Sequence, residues 1–201
     1  RANIFYDRIL RTADQPVDSR EVAAILNNPG GDGGQWAMGA SLVQKYGVVP
    51  VSAMPESFNT NDTTGFAATF NLKLRKDALV LRDLVADQAS EEQIAATRAQ
   101  ALKEVYRMAA YSFGEPPTTF DLEYKDDNQQ YHRDAGLTPQ GFFEKYFDVD
   151  LDDYVVISNS PDKAFNQRYR LESQENIVGG QQITFLNLPL AELKRAAIAQ
   201  L

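Results

Sequence analysis

The sequence has no cysteine and a single histidine, His132. The first absence excludes disulfides, thiolate metal sites and a thiol nucleophile within these 201 residues. The second leaves too little for a multi-histidine metal centre. Long apolar runs are also lacking. No window approaches ~18 consecutive apolar residues, so no transmembrane helix is expected. The opening RANIFYDRIL has neither the apolar core nor the small-residue cleavage site of a secretory signal. Basic charge is in deficit, 20 Lys and Arg against 28 Asp and Glu. That balance opposes the counterion release behind nucleic-acid binding and gives no reason to expect an anionic membrane partner. The lack of cysteine fits a reducing compartment. Asn61-Asp62-Thr63 matches the glycosylation pattern, but without a secretion signal it reads as a chance match.

What is present is a globular composition, 43% hydrophobic and 24% charged. RANIFYDRIL reads as an amphipathic helix with Ile4, Phe5, Ile9 and Leu10 near one face and no capping residue before it. At the other end, LPLAELKRAAIAQL sets Leu190, Leu193, Ala197 and Leu201 on a helical stripe without a closing signal. Both ends thus fall inside amphipathic helices, and the expectation is an internal fragment of a longer protein. Such a fragment would expose apolar surface along Leu190, Leu193 and Leu201.

Between the ends, Asp18-Ser19-Arg20-Glu21 resembles a cap opening a short helix with Val22, Ile25 and Leu26 inward. Residues 28–34, NPGGDGG, form a loop by composition. Trp36–Tyr46 reads as a helix with Trp36, Met38, Leu42, Val43 and Tyr46 on its apolar face, ended by Gly47. Pro50 makes Val48–Val51 extended, and Met54–Thr64 a polar, irregular connection. Residues 66–110 are strongly helical. Leu72, Leu74, Leu79, Leu81, Leu84 and Val85 serve one helix, and a cap at Ala89–Gln93 opens a second carrying Ile94, Leu102, Val105, Tyr106 and Met108. Gly114-Glu115-Pro116-Pro117 stops that second helix. Alternation at Phe120, Leu122 and Tyr124 predicts a strand, and Thr138-Pro139 opens a short helix. Strands are predicted over Asp153–Ile157 and Gln182–Leu186, with a weaker one at Tyr169–Leu171. The class is α+β.

Few residues offer chemistry. The glycine loop is no P-loop, because Gly34 leads to Gln35-Trp36 rather than Lys-Ser/Thr. It follows no clear strand, so a dinucleotide fingerprint fails too. Gly33 and Gly34 have no Cβ, so a ligand can approach their main chain closely; a plain turn before a helix is the competing reading. Asp148, Asp150 and Asp152 alternate like the start of a calcium loop, but Asp153 stands where glycine is needed and Asn159 where the bidentate glutamate is needed. A solvated acidic turn fits better, and no metal or cofactor is expected. His132 lies in a polar run, Asp126 to Asp134, as a surface histidine, and no Gly-x-Ser-x-Gly elbow supports a triad. Glu91-Glu92 and Asp126-Asp127 read as solvated carboxylates rather than a catalytic pair. Phe142, Phe143, Tyr146 and Phe147 read as core.

At residues 30–59, GGDGGQWAMGASLVQKYGVVPVSAMPESFN, the sequence closely resembles the bleomycin hydrolase and bacterial aminopeptidase C family of papain-like cysteine peptidases. The resemblance continues through LRDLV, the break at 114–117, LTPQGFFEKYFDVDLDDYVVISNSP and NIVGGQQITFLNLPLAELKRAAI, covering essentially the whole chain. The Gram-positive aminopeptidase C branch looks closer than the eukaryotic one. The resemblance implies part of a papain-like fold, with residues 1–65 in the helical lobe and its cleft loop. Residues 66–125 would form a helical insertion, and 126–201 the return to the body. It further implies a cytosolic homohexamer, roughly twice this length per chain, that removes N-terminal amino acids from peptides. There, a thiolate attacks the scissile carbonyl, an imidazole shuttles the proton, an asparagine orients it and a glutamine helps hold the oxyanion. In the family that glutamine and cysteine precede the residue matching Arg1, and the histidine and asparagine follow the residue matching Leu201. His132 matches a non-catalytic position, so this chain alone is expected to be inactive.

One element carries over. Asp32-Gly33-Gly34-Gln35-Trp36 matches the papain-like Asn-Gly-Gly stretch, with Asp32 in place of the asparagine. By resemblance, its glycine main chain pairs with substrate backbone beside the scissile bond, and Gln35 and Trp36 line the neighbouring side-chain pocket. The rival expectation is a non-catalytic, acidic, helix-rich assembly module on the same scaffold, supported only by the missing nucleophile.

Overall fold

The computed structural model describes residues 1–31, 33–171, 175 and 177–200. The chain divides into two compact units, Arg1–Gly33 with Val49–Thr138, and Gly34–Val48 with Pro139–Leu201. Among the described residues no helix is long and apolar enough to cross a membrane. The mixture of helices and small sheets is the expected α+β class.

The first unit is built on helices α1 (Ala2–Arg11), α2 (Arg20–Asn27), α5 (Thr64–Ala86) and α6 (Glu91–Phe113). Spacing at three and four residues brings Phe5, Tyr6 and Ile9 of α1 against Leu74, Ala78 and Leu81 of α5, with Ile25 and Ala101 closing the core. Each of Ile9, Leu74 and Leu81 is fully buried, which contributes roughly 1.5–3 kcal/mol apiece. Leu72 and Leu79 of the same helix are instead exposed, on the opposite face. The predicted caps hold. The Ser19 side chain accepts from the Val22 amide, and Ser90 forms a capping box with Gln93.

Helix C-termini leave carbonyls without intrahelical partners. Two arginines of α5 supply donors for them. Arg82 binds the Thr12 carbonyl at 2.8 Å and also the Gln15 carbonyl beyond the end of α1. Arg75 binds Leu26 and Asn27 at the end of α2, at 2.8 and 3.2 Å. The connection expected to be irregular contains a one-turn helix, α4 (Phe58–Asn61). From this stretch, Ser57 and Asn59 side chains donate to the Ser112 carbonyl in the last turn of α6.

Strand β1 (Phe120–Lys125) is where alternation placed it, but its partner β2 (Tyr131–Leu137) lies in the run expected to be merely polar. The reason is local. Asp126 Oδ1 accepts from the amides of Asn128 and Gln130 at 2.9 Å each, and Gln129 takes a positive φ of 62°, closing the hairpin. Cross-strand pairs then hold it: the Tyr124 and His132 rings stack at 5.1 Å, and Arg133 binds Asp121 at 2.6 Å.

The second unit contains α3 (Trp36–Tyr46), α7 (Pro139–Tyr146), a 3₁₀ turn (Leu151–Asp153), α8 (Leu190–Ala199) and a three-stranded sheet. In that sheet β5 (Thr184–Asn187) pairs parallel with β3 (Ile157–Ser158) and antiparallel with β4 (Gln167–Arg170). The strand expected over Asp153–Ile157 is a correction: Asp153 closes the 3₁₀ turn, and only Ile157 and Ser158 pair. The acidic residues prefer to cap a turn, Asp150 accepting from the Asp152 amide at 2.9 Å. The other two strands sit one or two residues from their expected bounds. Asn187, beyond the expected end of β5, is fully buried; its Oδ1 accepts from the Ser160 amide and its Nδ2 donates to the carbonyls of Ser160, Lys163 and Ala164.

The buried face of α3 is also different from the expected one. Ala37, Met38, Ala40 and Ser41 turn inward, whereas Trp36, Leu42 and Tyr46 are exposed. Small residues win because the segment around Ile177–Ile183 packs close, with the Gln181 amide donating to Ser41 Oγ at 2.9 Å. Of the aromatic cluster expected as core, Phe142 is buried, Phe143 half-buried, and Tyr146 and Phe147 exposed. On α8, Leu190 and Ile198 are exposed and Leu193 is half-buried; Leu201 lies outside the described residues.

Candidate functional site

The loop ahead of α3 joins the two units, Gly33 ending one and Gly34 opening the other. Asp32 lies outside the described residues. On the first unit's side, the Arg1 guanidinium donates to the Gly33 carbonyl. Neither Gly33 nor Gly34 has a positive φ. A Cβ built at Gly33 would meet nothing within 4 Å, and one at Gly34 would meet only Met38, at an ordinary 3.4 Å. Main-chain conformation and packing therefore leave room for a side chain at both positions. Both glycines are exposed, with the Gly33 carbonyl already accepting from Arg1.

Gln35 is the N-terminal boundary of α3, with an extended backbone (φ −116°, ψ 163°). Its amide donates to Met38 Sδ at 3.4 Å, and its carbonyl accepts from Met38 at 3.0 Å. Met38 is buried against Ile183, so the start of the helix is held by the core. Trp36 follows, 45% exposed, its ring 4.7 Å from that of Tyr154 and tilted by 46°. Sequence reading missed Tyr154, which it placed in a strand; nothing local to Tyr154 signals the contact.

The other candidates acquire structural roles. Asp150 caps the 3₁₀ turn, and Asp152 accepts from the side chains of Gln44, at 2.9 Å, and Gln181. Among the described residues no cluster of three or more His, Cys, Asp or Glu could hold a metal ion. His132 is on the surface, its Nε2 3.0 Å from Asp126 Oδ2. That bond, with help from backbone amides, holds the Asp126 carboxyl below the usual range. A mostly apolar concavity of about 620 Å³ lies within the first unit, its lining including Phe66, Phe70, Leu102 and Phe113.

Gly33 and Gly34 are thus exposed ahead of a helix whose first residue is a half-exposed aromatic. The chain matches the Peptidase C1-like family over residues 1–201 and belongs to it. Aminopeptidase G of Lactobacillus delbrueckii subsp. lactis is 53% identical across all of this chain and 46% of its own length. Aminopeptidase C of Streptococcus thermophilus is 40% identical over the same shares. The crystal structure of PepW from Lactobacillus rhamnosis HN001 superposes with a TM-score of 0.95 at 49% identity, covering 99% of this chain and 45% of that one. The chain thus spans less than half the length of these relatives, and its α+β architecture is that of a papain-like peptidase segment.

Proposed function

We propose that this chain is the central segment of a cysteine-type aminopeptidase and carries one wall of its peptide cleft. In this reading the main chain of Gly33 and Gly34 pairs with substrate backbone next to the scissile bond. Gln35 and Trp36 border the neighbouring side-chain pocket, and by its place in the motif Asp32 belongs to the same binding stretch. The observation carrying it is that neither the φ angles nor the packing of the described residues require glycine at positions 33 and 34. With no Cβ at either position, a ligand can approach the main chain there closely. The family and the names of its relatives supply the reaction class, hydrolysis at peptide N-termini.

The chemistry itself belongs to groups outside these 201 residues, which contain no cysteine. A thiolate would add to the carbonyl and an imidazole would protonate the leaving amine; this chain's part is to bind and orient. Alone it is inactive. The same reading makes the whole protein a cytoplasmic homohexamer. The test is turnover of a fluorogenic aminoacyl substrate by the full-length protein, with and without a thiol alkylator. Turnover abolished by alkylation is expected; a well-folded full-length protein with no turnover would leave a scaffold without chemistry.

A further inference from the structure

A peptide plane between two glycines has more rotational freedom than one between any other residues, because neither neighbour carries a Cβ. The Gly33–Gly34 plane is nonetheless tied down. Arg1 stands at the N-terminal boundary of α1, and its guanidinium donates to the Gly33 carbonyl. The same guanidinium lies close to Gly31, its Nη1 3.9 Å from where a Cβ of that residue would sit. Its base is firm: the Arg1 carbonyl accepts from the Phe5 amide at 2.9 Å, and Ala2 and Phe5 are buried in the core of the first unit. A bond from a charged guanidinium to a carbonyl is among the stronger hydrogen bonds and fixes direction as well as distance. Among the described residues no peptide bond is cis, so the Gly33 carbonyl and the Gly34 amide share one plane and point in opposite directions. Tying down the carbonyl therefore aims the Gly34 N–H away from Arg1. Gly34 is exposed, and among the described residues its N–H has no hydrogen-bond partner.

We propose that Arg1 is a positioning residue for the cleft loop: by binding the Gly33 carbonyl it turns the Gly34 N–H outward to donate to a carbonyl of the peptide substrate. The proposal rests on the cleft reading of residues 32–36 and deepens it. It assigns the donor to one atom, the Gly34 amide nitrogen, and adds a residue with no place in the motif. The guanidinium also polarises the amide unit it binds, which makes the N–H at the far side of that unit a better donor. Arg1 itself does not touch the substrate.

The test uses the full-length protein with Arg1→Met, Arg1→Lys, Gly34→Ala and the Arg1→Met/Gly34→Ala double variant. Turnover of a fluorogenic peptide is compared with the rate at which iodoacetamide inactivates the enzyme, a reaction that needs the thiol and not the loop. Arg1→Met keeps an extended stem and removes the donors. It should raise KM about three- to tenfold with kcat nearly unchanged, and leave the iodoacetamide rate at the parent value. Arg1→Lys retains a cationic donor and should recover most of the loss. Both changes act through one peptide plane, so the double variant should resemble Gly34→Ala alone. A parent KM in Arg1→Met, an equal fall in the iodoacetamide rate, additive losses in the double variant, or an Arg1→Lys no better than Arg1→Met would overturn the proposal. Gly34→Ala without effect would remove the cleft reading itself, and this proposal with it. Arg1 is exposed, so the variants should fold, and melting temperatures close to the parent's check this.

Discussion

Inside the first unit, the hydroxyl of Tyr6 donates a 2.6 Å hydrogen bond to Oδ2 of Asp77. Lys73 binds both oxygens of the same carboxylate, at 2.5 and 2.7 Å, and Glu104 at 2.8 Å. The group joins α1, α5 and α6, and each member's charge or donor is matched by another. Tyr6→Phe removes one donor and should lower the unfolding free energy by about 1–3 kcal/mol. Asp77→Ala leaves Tyr6 without its acceptor and Lys73 with only Glu104, and should cost more than Tyr6→Phe, about 3 kcal/mol. Urea denaturation of the two variants measures both, and equal effects would contradict this account.

The same group predicts alkaline sensitivity. Burial, the bond to Asp77 and the negative charges of Asp77 and Glu104 push the Tyr6 hydroxyl well above the usual tyrosine range. Burial pulls Lys73 down, but its bonds to Asp77 and Glu104 outweigh this and leave it raised. Both groups therefore keep their protons to higher pH folded than unfolded. Their stabilisation is fully present below about pH 10, where the unfolded groups begin to titrate, and falls as pH rises beyond it. Urea midpoints from pH 8 to 11 should decline above pH 10, and less steeply in Tyr6→Phe. A flat profile would contradict the assignment.

The hairpin responds at the other end of the scale. Bonds from Arg133 and the Gly136 amide hold Asp121 low, and bonds from His132 and backbone amides do the same for Asp126. Depressed carboxylates stabilise above their unfolded pKa of about 4, and the contribution disappears as pH falls through the folded value. Amide exchange across Phe120–Leu137, corrected for intrinsic rates, should show less protection at pH 3 than at pH 5.

Gly47 is a position where glycine is mandatory. Its φ is +73°, and a Cβ would overlap the carbonyl of Pro139 and the amide nitrogen of Gln140. The close approach comes with a bond from the Val48 amide to the Pro139 carbonyl and one from Gln140 to the Lys45 carbonyl. Backbone cannot yield as a side-chain tip can, so Gly47→Ala should destabilise the second unit by about 3 kcal/mol or more. Thermal melts compared with Gly33→Ala, which meets nothing, provide the contrast.

Helix existence was legible because periodicity and caps are local: Ser19, Ser90, Gly47 and Pro139 each mark a boundary where the structure has one. The strand β2 was not, since YHRDAGL lacks alternation and owes its pairing to the Asp126 turn and to cross-strand contacts. Helix faces were misread for α3 because the tight approach of Ile177–Ile183 selects small residues over Trp36 and Leu42. In the candidate site, Gly33 to Trp36 could be singled out from the motif. Tyr154 could not, as its contact with Trp36 depends on a turn that returns to α3 from far along the chain.

In the proposed cleft, peptide backbone lies against the glycines of the loop. Gly34→Ala probes that contact, because the added methyl meets only Met38 at ordinary contact distance and the backbone needs no positive φ. In the full-length protein the variant should keep its melting temperature while kcat/KM for peptides falls by about tenfold or more, the loss expected when substrate backbone is displaced by a methyl group. Unchanged kcat/KM in a protein of unchanged stability would contradict the claim and return the loop to a plain turn ahead of a helix.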